Sequence, residues 1–415
     1  MFLKQITLHN FKCLEDITLS FRHDGDSNRK WTLILGENGT GKSNLLKAIA
    51  LITCGSNALG ELLGNANSWI RNGARKCTVD AIIETKKNEE RSISLTIKRD
   101  DTLSDVILNN RKSLELIDNA IFHADRNYFV VAYGASRRLS ADSLSLEKAK
   151  YGRYNNVRNL FYNNYPLNNL TSWIIDLDYQ SGESGLDIVK NTLNDFLPGT
   201  TFHEIDKMKK QVLFETSDGI VPLDQLSDGY QNMAAWIGDL LYRVTQNFHN
   251  NIDPLQARGV LLIDEVDLHL HPRWQRNLLE FISKKLPNFQ VIGTTHSPLT
   301  AQQADVHELY ALKRNEKNRV KLIPFKGSPR NLLINQLLMT PVFGLETDES
   351  LEIENTKKEY ESLKKRIKSL NAQEKEHFEE VKLTLQKNLP IRDMPPYSQK
   401  EFDLLEKIES QLSSR

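Results

Sequence analysis

Residues 36–43 read Gly36-Glu37-Asn38-Gly39-Thr40-Gly41-Lys42-Ser43, and this stretch decides how the rest of the chain is read. It fits G-x-x-x-x-G-K-[ST], in which glycines let main-chain N–H groups turn inward around phosphates. WTLIL before it alternates into a buried strand, and NLLKAIALIT after it keeps helical spacing. The helix would aim the positive end of its dipole at the loop. In that arrangement Lys42 reaches the β- and γ-phosphates of a bound ATP and Ser43 ligates Mg²⁺. Gly36, Asn38, Gly39, Gly41, Lys42, Ser43 and Asn44 are the candidate nucleotide-binding residues of this segment.

Working outward, two short apolar runs each end in polar residues. GVLLIDEVD carries Asp264 and Glu265, and FQVIGTTHSP carries His296. Buried parallel strands read this way when their C-terminal ends carry the chemistry. Asp264 would hold the Mg²⁺ shell, and Glu265 would act as general base on the attacking water. His296 can hydrogen-bond a γ-phosphate; a buried, satisfied histidine is the bland alternative. Asp267 follows on the loop. His269 and His271 stand two apart with no third ligand evident, so a structural or interface loop is the preferred reading over a metal site.

Composition sets the outer limits. The chain has 415 residues, 39% hydrophobic, with 54 basic and 54 acidic side chains. That length suits one large domain with additions, or two or three domains. The charge balance means that any nucleic-acid contact comes from a local patch. No apolar run reaches the roughly 18 residues of a membrane span, and MFLKQITLHNF alternates like a strand instead of forming a signal peptide. Cys13, Cys54 and Cys77 share no metal-ligand spacing; reduced thiols in a cytoplasmic protein are expected.

The remaining segments give an α/β chain. Strands are expected near 2–9, 16–21, 77–84, 91–98 and 128–133. A helix is expected near 170–197, a hairpin at QVLFET and IVPL, and a helix from Asn232. Residues 134–165 are rich in Arg, Lys, Tyr and Asn without a clear period. Arg137, Arg138, Lys148, Lys150, Arg153 and Arg158 lie there among Tyr151, Tyr154, Phe161 and Tyr162. Phosphate contacts with base stacking are one reading; a solvated insertion is the other. From about 349 the chain turns to charged helices striped by Tyr360, Leu363, Ile367 and Leu370, then by Phe378, Val381, Leu385 and Leu389. Asn371 and Glu374 make a capping box between them. Pro390 and Pro395-Pro396 end the second helix before a short one at 398–412. The stripes pack on each other and on the rest of the chain, or they dock a partner.

Residues 226–231, LSDGYQ, lie between the phosphate loop and the acidic strand. The order phosphate loop, LSDGYQ, acidic strand, histidine strand resembles the ABC-type ATPase head, and within it the RecF/SMC/OLD-like (AAA_15/AAA_21) group. That resemblance covers about residues 1–312. Its signature is LSGGQ; here Ser227, Gly229 and Gln231 align, while Asp228 replaces a glycine and Tyr230 precedes Gln231. The resemblance implies a P-loop head with N-terminal antiparallel strands. It also implies that Ser227 and Gly229 complete the ATP site of a second copy, through head-to-head oligomers. NFKCLED also resembles this group, where a lysine or arginine often approaches the nucleotide, and Lys12 is the candidate; a solvated lysine is the alternative. No glutamine follows YFVVAY, where the group carries one. Ser136, Arg137 and Arg138 stand there, as an arginine facing the phosphates or as a surface turn.

The expected organisation is 1–133, the first half of the head; 134–198, an insertion; 199–348, the second half; and 349–415, a helical tail. No long heptad arm is present, which sets SMC proteins apart. No D-x-D follows His296, so the chain is not expected to be a nuclease. LLMTPVFGLETDES and the tail resemble the compact ATPases of bacterial anti-phage systems, the Septu and PARIS type, which work with a separate effector nuclease. Regulation of such an effector is one implied function; a RecF-like repair ATPase that binds DNA is the other.

Overall fold

The structure is a computed structural model that describes residues 2–23, 28–85, 89–123, 129–137, 153–197, 199–247, 254–367 and 370–388. The chain forms two compact units, Met1–Gly344 and Leu345–Arg415. The first unit begins with β1 (Phe2–Phe11), β2 (Leu14–Ser20), β3 (Trp31–Gly36), α1 (Lys42–Thr53), α2 (Ser56–Leu62), β4 (Lys76–Glu84) and β5 (Glu90–Lys98). Next come α3 (Leu103–Asn109), α4 (Arg111–His123), β6 (Val130–Tyr133), α5 (Tyr154–Phe161), α6 (Leu170–Phe196), β7 (Thr201–Asp206), β8 (Gln211–Thr216) and β9 (Gly219–Pro222). It continues with α7 (Asp228–Asn247), β10 (Gly259–Ile263), α8 (Pro272–Lys285), β11 (Phe289–Thr294), α9 (Pro298–Ala301), β12 (Leu309–Arg314), β13 (Val320–Pro324) and α10 (Ile334–Leu338).

The central sheet has the order β13-β12-β3-β11-β10-β6. Its strands are parallel except β13, which pairs antiparallel at the edge. Successive side chains of a strand point to opposite faces, and here both faces are covered. Trp31, Leu33, Leu35, Val131, Leu261, Ile263 and Val291 pack into one core, with residues of α6, α7 and α8. Ile34, Val130, Ala132, Val260, Leu262 and Ile292 pack into the other, with α1 and the N-terminal sheet. That second sheet is antiparallel throughout, β2-β1-β4-β5. This is the expected α/β architecture, a phosphate loop between strand and helix of a largely parallel sheet, with N-terminal antiparallel strands beside it.

Several elements differ from the sequence reading. β7 joins the expected hairpin to make a three-stranded sheet, β7-β8-β9. The pair α3 and α4, and the strands β12 and β13, were not anticipated. α7 starts at Asp228, not at Asn232. Most of LSDGYQ therefore lies in the first turn of α7: the main-chain N–H of Gln231 already donates to the Ser227 carbonyl at 3.0 Å. An acidic residue in the first turn favours the helix dipole, which lets Asp228 open the helix although Gly229 follows.

The second unit holds α11 (Leu351–Lys365) and α12 (Ala372–Asn388). Leu363, Leu370, Phe378 and Val381 form its core, with Tyr360 stacked on Phe378 at 5.1 Å. The two stripes thus pack on each other. Ile367 falls past the end of α11 and is 46% exposed, so it leaves the stripe. The capping box forms: Glu374 N–H donates to Asn371 Oδ1 and Asn371 N–H to Glu374 Oε2, both at 2.9 Å. Leu389, Pro390, Pro395-Pro396 and the helix expected at 398–412 lie outside the described residues. Among the described residues no helix is long and apolar enough to cross a membrane.

Candidate functional site

The parallel register brings four chain segments to one edge of the sheet. Leu312 lies opposite Gly36, Thr294 opposite Ile34, and Ile263 opposite Tyr133. The phosphate loop, the residues after β6, Asp264 with Glu265, and Thr295 with His296 all leave the sheet there.

Gly41 caps α1 at φ 98°, a conformation open to glycine. A Cβ on it would lie 2.6 Å from Cys13 Sγ, because the β1–β2 turn presses against the loop. The first turn of α1 contains Lys42, Ser43 and Asn44 and no acidic residue. Its free N–H groups therefore meet no competing local anion. Lys42 Nζ donates to the Gly36 carbonyl at 2.7 Å and the Glu37 carbonyl at 3.1 Å. Burial lowers its pKa, and the charges of Asp264 and Glu265 oppose that shift. The ammonium and the two carboxylates thus share one electrostatic environment.

Asp264 is 8% exposed. Its N–H donates to the Tyr133 carbonyl at 2.8 Å, and Thr294 Oγ1 donates to its Oδ1 at 2.6 Å. Glu265 is partly buried, at φ 50°. A left-handed conformation costs a non-glycine residue about 1–2 kcal/mol, so neighbours must hold it. Its N–H donates to Thr294 Oγ1 at 2.7 Å. The next N–H, of Val266, donates to the Thr294 carbonyl at 2.9 Å. Asp267 accepts from Thr295 Oγ1 and Thr300 Oγ1, each at 2.9 Å. Thr295 N–H donates to the Ile34 carbonyl at 3.2 Å, tying this strand end to β3. His296 comes next and is exposed, so it is not the buried, satisfied histidine of the bland reading.

Arg137 requires a correction. It neither faces open space as a phosphate ligand nor lies in a surface turn. It is 3% exposed, and its guanidinium donates to the carbonyls of Asp264 at 2.6 Å, Glu265 at 2.7 Å and Gly134 at 3.3 Å. Desolvation pulls its pKa down to about 10, against the charges of Asp264, Glu265 and Asp267. The loop that carries it is fixed by the buried Asn159. Asn159 Oδ1 accepts the Gly134 N–H at 2.8 Å, and its Nδ2 donates to the Ser136 carbonyl at 3.2 Å.

Lys12 stands at φ 50° with its ammonium 4.4 Å above the Trp69 ring, and burial lowers its pKa. Next to it, Asn44 Nδ2 meets Cys13 Sγ at 3.6 Å. Two cations escaped the sequence reading. Lys47 lies one turn along α1, and burial, Lys12 and Asp264 all act on its pKa, the first two lowering it. Arg314, at the end of β12, donates to the Gly39 carbonyl at 3.1 Å. Neither belongs to a motif; only the register of β12 against β3 brings Arg314 to the loop.

Ser227 and Asp228 are exposed. Gln231 Nε2 donates to the carbonyls of Asp224 and Leu226, at 2.9 and 2.6 Å. A Cβ on Gly229 would lie 2.8 Å from the His269 carbonyl. Further along α7, buried Asp239 accepts from Tyr133 Oη at 2.9 Å, Arg243 Nε at 2.5 Å and Asn168 Nδ2 at 2.6 Å. That network joins the signature helix to β6. In the 134–165 segment Arg158 lies 3.7 Å from the Tyr165 ring centre, Phe161 packs edge-on against Trp69, and Tyr162 Oη donates to the Glu61 carbonyl. Arg158 and Phe161 are thus engaged within the chain, while Tyr162 stays 45% exposed. Arg138, Lys148, Lys150 and Tyr151 lie outside the described residues.

Ser43 and Asp264 offer a hydroxyl and a carboxylate, the hard oxygen donors that suit Mg²⁺, which keeps most of its waters. The buried Asp264 carboxylate commits one oxygen to Thr294. The residues present therefore fit the ion. His269 and His271 are exposed, and His271 Nδ1 caps α8 by accepting the Arg273 N–H at 3.3 Å. Among the described residues no group of three or more His, Cys, Asp and Glu gathers as a metal site.

The model of the AAA_21 family, described as "AAA domain, putative AbiEii toxin, Type IV TA system", matches residues 32–301. The chain is 28% identical to the Septu protein PtuA of Bacillus mycoides (strain KBAB4), over 83% of this chain and 45% of that protein. It thus spans less than half the length of that relative. It is 33% identical to the "Retron Ec83 probable ATPase" of Escherichia coli, over 34% of this chain and 26% of that one. A solved SMC head domain from Thermotoga maritima covers 79% of this chain and 100% of its own, at 14% identity and a TM-score of 0.42.

Proposed function

The chain belongs to the AAA_21 family, and on that premise we propose that it binds ATP with Mg²⁺ at the 36–44 loop and hydrolyses it to ADP and phosphate. The observation that carries this reading is the strand register, which brings the 36–44 loop, Asp264 with Glu265, and His296 to the same C-terminal edge of the sheet. Lys42 leaves the Gly36 and Glu37 carbonyls and binds phosphate oxygens. The N–H groups opening α1 bind the rest of the polyphosphate. Ser43 and Asp264 would hold the Mg²⁺, which neutralises charge on the phosphates. Glu265 orients the attacking water and takes its proton, and His296 donates to the terminal phosphate. Lys12 lies beside the loop as a further nucleotide contact.

Further steps of the reading concern assembly and partners. Two heads associate, and Ser227 and Gly229 of each complete the nucleotide site of the other. The assembled ATPase controls an effector, a nuclease carried on another chain, in defence against phage in the cytoplasm; the chain does not itself cut nucleic acid. The Septu and retron names of the relatives support this. A RecF-like function on DNA is the weaker reading, because Arg158 and Phe161 are engaged within the chain. The test is ATP turnover by the purified chain together with its oligomeric state, with and without ATP. Turnover that Lys42→Ala leaves intact, or cleavage of DNA by the lone chain, would sink the reading.

A further inference from the structure

We infer that Arg137 is a positioning residue for the hydrolytic step, holding the main chain of Asp264 and Glu265 in the one conformation that aims the Glu265 carboxylate into the site. The inference rests on the ATP-hydrolysis reading and gives that site a part which no motif contains.

The argument starts from what this arginine does not do. Among the described residues it forms no ion pair, and its hydrogen bonds go to main-chain carbonyls. A guanidinium buried without a carboxylate partner is costly, as its depressed pKa reflects. A neutral side chain would fill the space at less cost. What the guanidinium adds is a rigid planar fork, whose two nitrogens Nη1 and Nη2 donate to two successive carbonyls, 127 and 128 residues further along the chain. Successive carbonyls face one fork only when the peptide between them is turned. That peptide belongs to Glu265, which sits in the left-handed region. On its other side Thr294 takes the Glu265 N–H and the Asp264 carboxylate. Arg137 and Thr294 thus grip one peptide from both sides, and the side chain between them is the general base. Arg137 itself is directed at carbonyls, away from the reacting atoms, and acts through Glu265.

Two variants and one background test this. Arg137→Lys keeps the charge but loses the fork. Arg137→Met loses both. Nucleotide affinity, read with a fluorescent ATP analogue, is expected to stay at the wild-type value in each. The kcat is expected to fall by about 100-fold for Arg137→Met, the loss typical of a misplacement of about 1 Å, and by about 10-fold or more for Arg137→Lys. In the Glu265→Gln background neither change should lower residual turnover further, since the group being positioned is already gone. Wild-type kcat in Arg137→Met, or a loss that multiplies onto that of Glu265→Gln, overturns the inference while leaving ATP hydrolysis intact. Should Arg137→Met fail to fold, Arg137→Lys decides alone: wild-type kcat in it overturns the fork. A wild-type chain that neither binds nor hydrolyses ATP overturns both readings.

Discussion

The turn Asp264–Asp267 and the segment Leu226–Gln231 are both short, polar and derived from motifs, yet the chain treats them in opposite ways. In the first, the main-chain groups, one Asp264 carboxylate oxygen and the Asp267 carboxylate are engaged within the chain: by Thr294, Thr295 and Thr300 on one side, by Arg137 and Tyr133 on the other. In the second, Gln231 folds back onto the carbonyls before it and Gly229 fits under His269, while Ser227 and Asp228 stand exposed. One motif is completed by its own chain and the other is presented outward. The turn that carries the proposed general base is thus fixed within a single copy, and the exposed part of Leu226–Gln231 is available to something else. Under the proposed function that something is the phosphate loop of a second copy.

The largest effect should come from the completed half. Glu265→Gln removes the proton acceptor, and hydrolysis is expected to slow by about 100-fold or more, with the ATP-bound assembly lasting longer. Phosphate release and size-exclusion chromatography check the two parts. An unchanged rate would mean that the turn is held for some other reason.

Next comes the presented half. A chain with Lys42→Ala and a chain with a broken signature should each be impaired, and mixing them should recover part of the turnover. One of the two sites in a mixed dimer then pairs an intact loop with an intact signature. Ser227→Arg is the better signature variant, because any side chain at position 229 collides with the His269 carbonyl and disturbs its own chain. Mixed dimers that form without recovering turnover would place the signature's action in its own chain and erase the contrast.

How much of this was legible in the sequence follows the same division. GENGTGKS, LLIDE and IGTTHS could be read because apolar strands run straight into chemistry-bearing residues. The sheet that joins them follows from that pattern. Arg137 could be seen as an arginine, but two of its three carbonyl partners lie more than 120 residues away, and carbonyls leave no trace in side-chain identity. Arg314 was missed because only the register of β12 against β3 brings it to the loop, and Lys47 because it lies one turn along α1, outside the motif. α7 was started late because Gly229 reads as a turn, although a first helical turn tolerates glycine. The short amphipathic pair α3–α4 was overlooked among charges, as was the β12–β13 hairpin, whose strands are divided by NEKNR.

A smaller effect tests how firmly the turn is held. Asp267→Ala would leave the buried Thr295 and Thr300 hydroxyls without their acceptor. Stranding a buried hydrogen-bonding group costs about 1–3 kcal/mol. Urea denaturation should show a loss in that range, with turnover reduced as the strand end before His296 loosens. Wild-type stability would mean that this carboxylate is not structural.

The smallest expected effect on the fold carries the sharpest discrimination. Ser227 is exposed, and its carbonyl, not its side chain, accepts the Gln231 N–H. Ser227→Ala keeps that carbonyl and removes only the hydroxyl. Surface substitutions of this kind usually change stability by less than about 0.5 kcal/mol, so the denaturation midpoint should stay put. If the hydroxyl serves a phosphate held by another copy, ATP-dependent association should nonetheless weaken and turnover should fall. Both should worsen on dilution, since the lost contact lies between chains. A hydroxyl that served only its own chain would give a loss independent of protein concentration. Turnover measured across a dilution series, at constant ATP and Mg²⁺, separates the two. A concentration-independent loss in Ser227→Ala would make the exposed segment an ordinary helix start, and the contrast with the Asp264–Asp267 turn would lose its functional meaning.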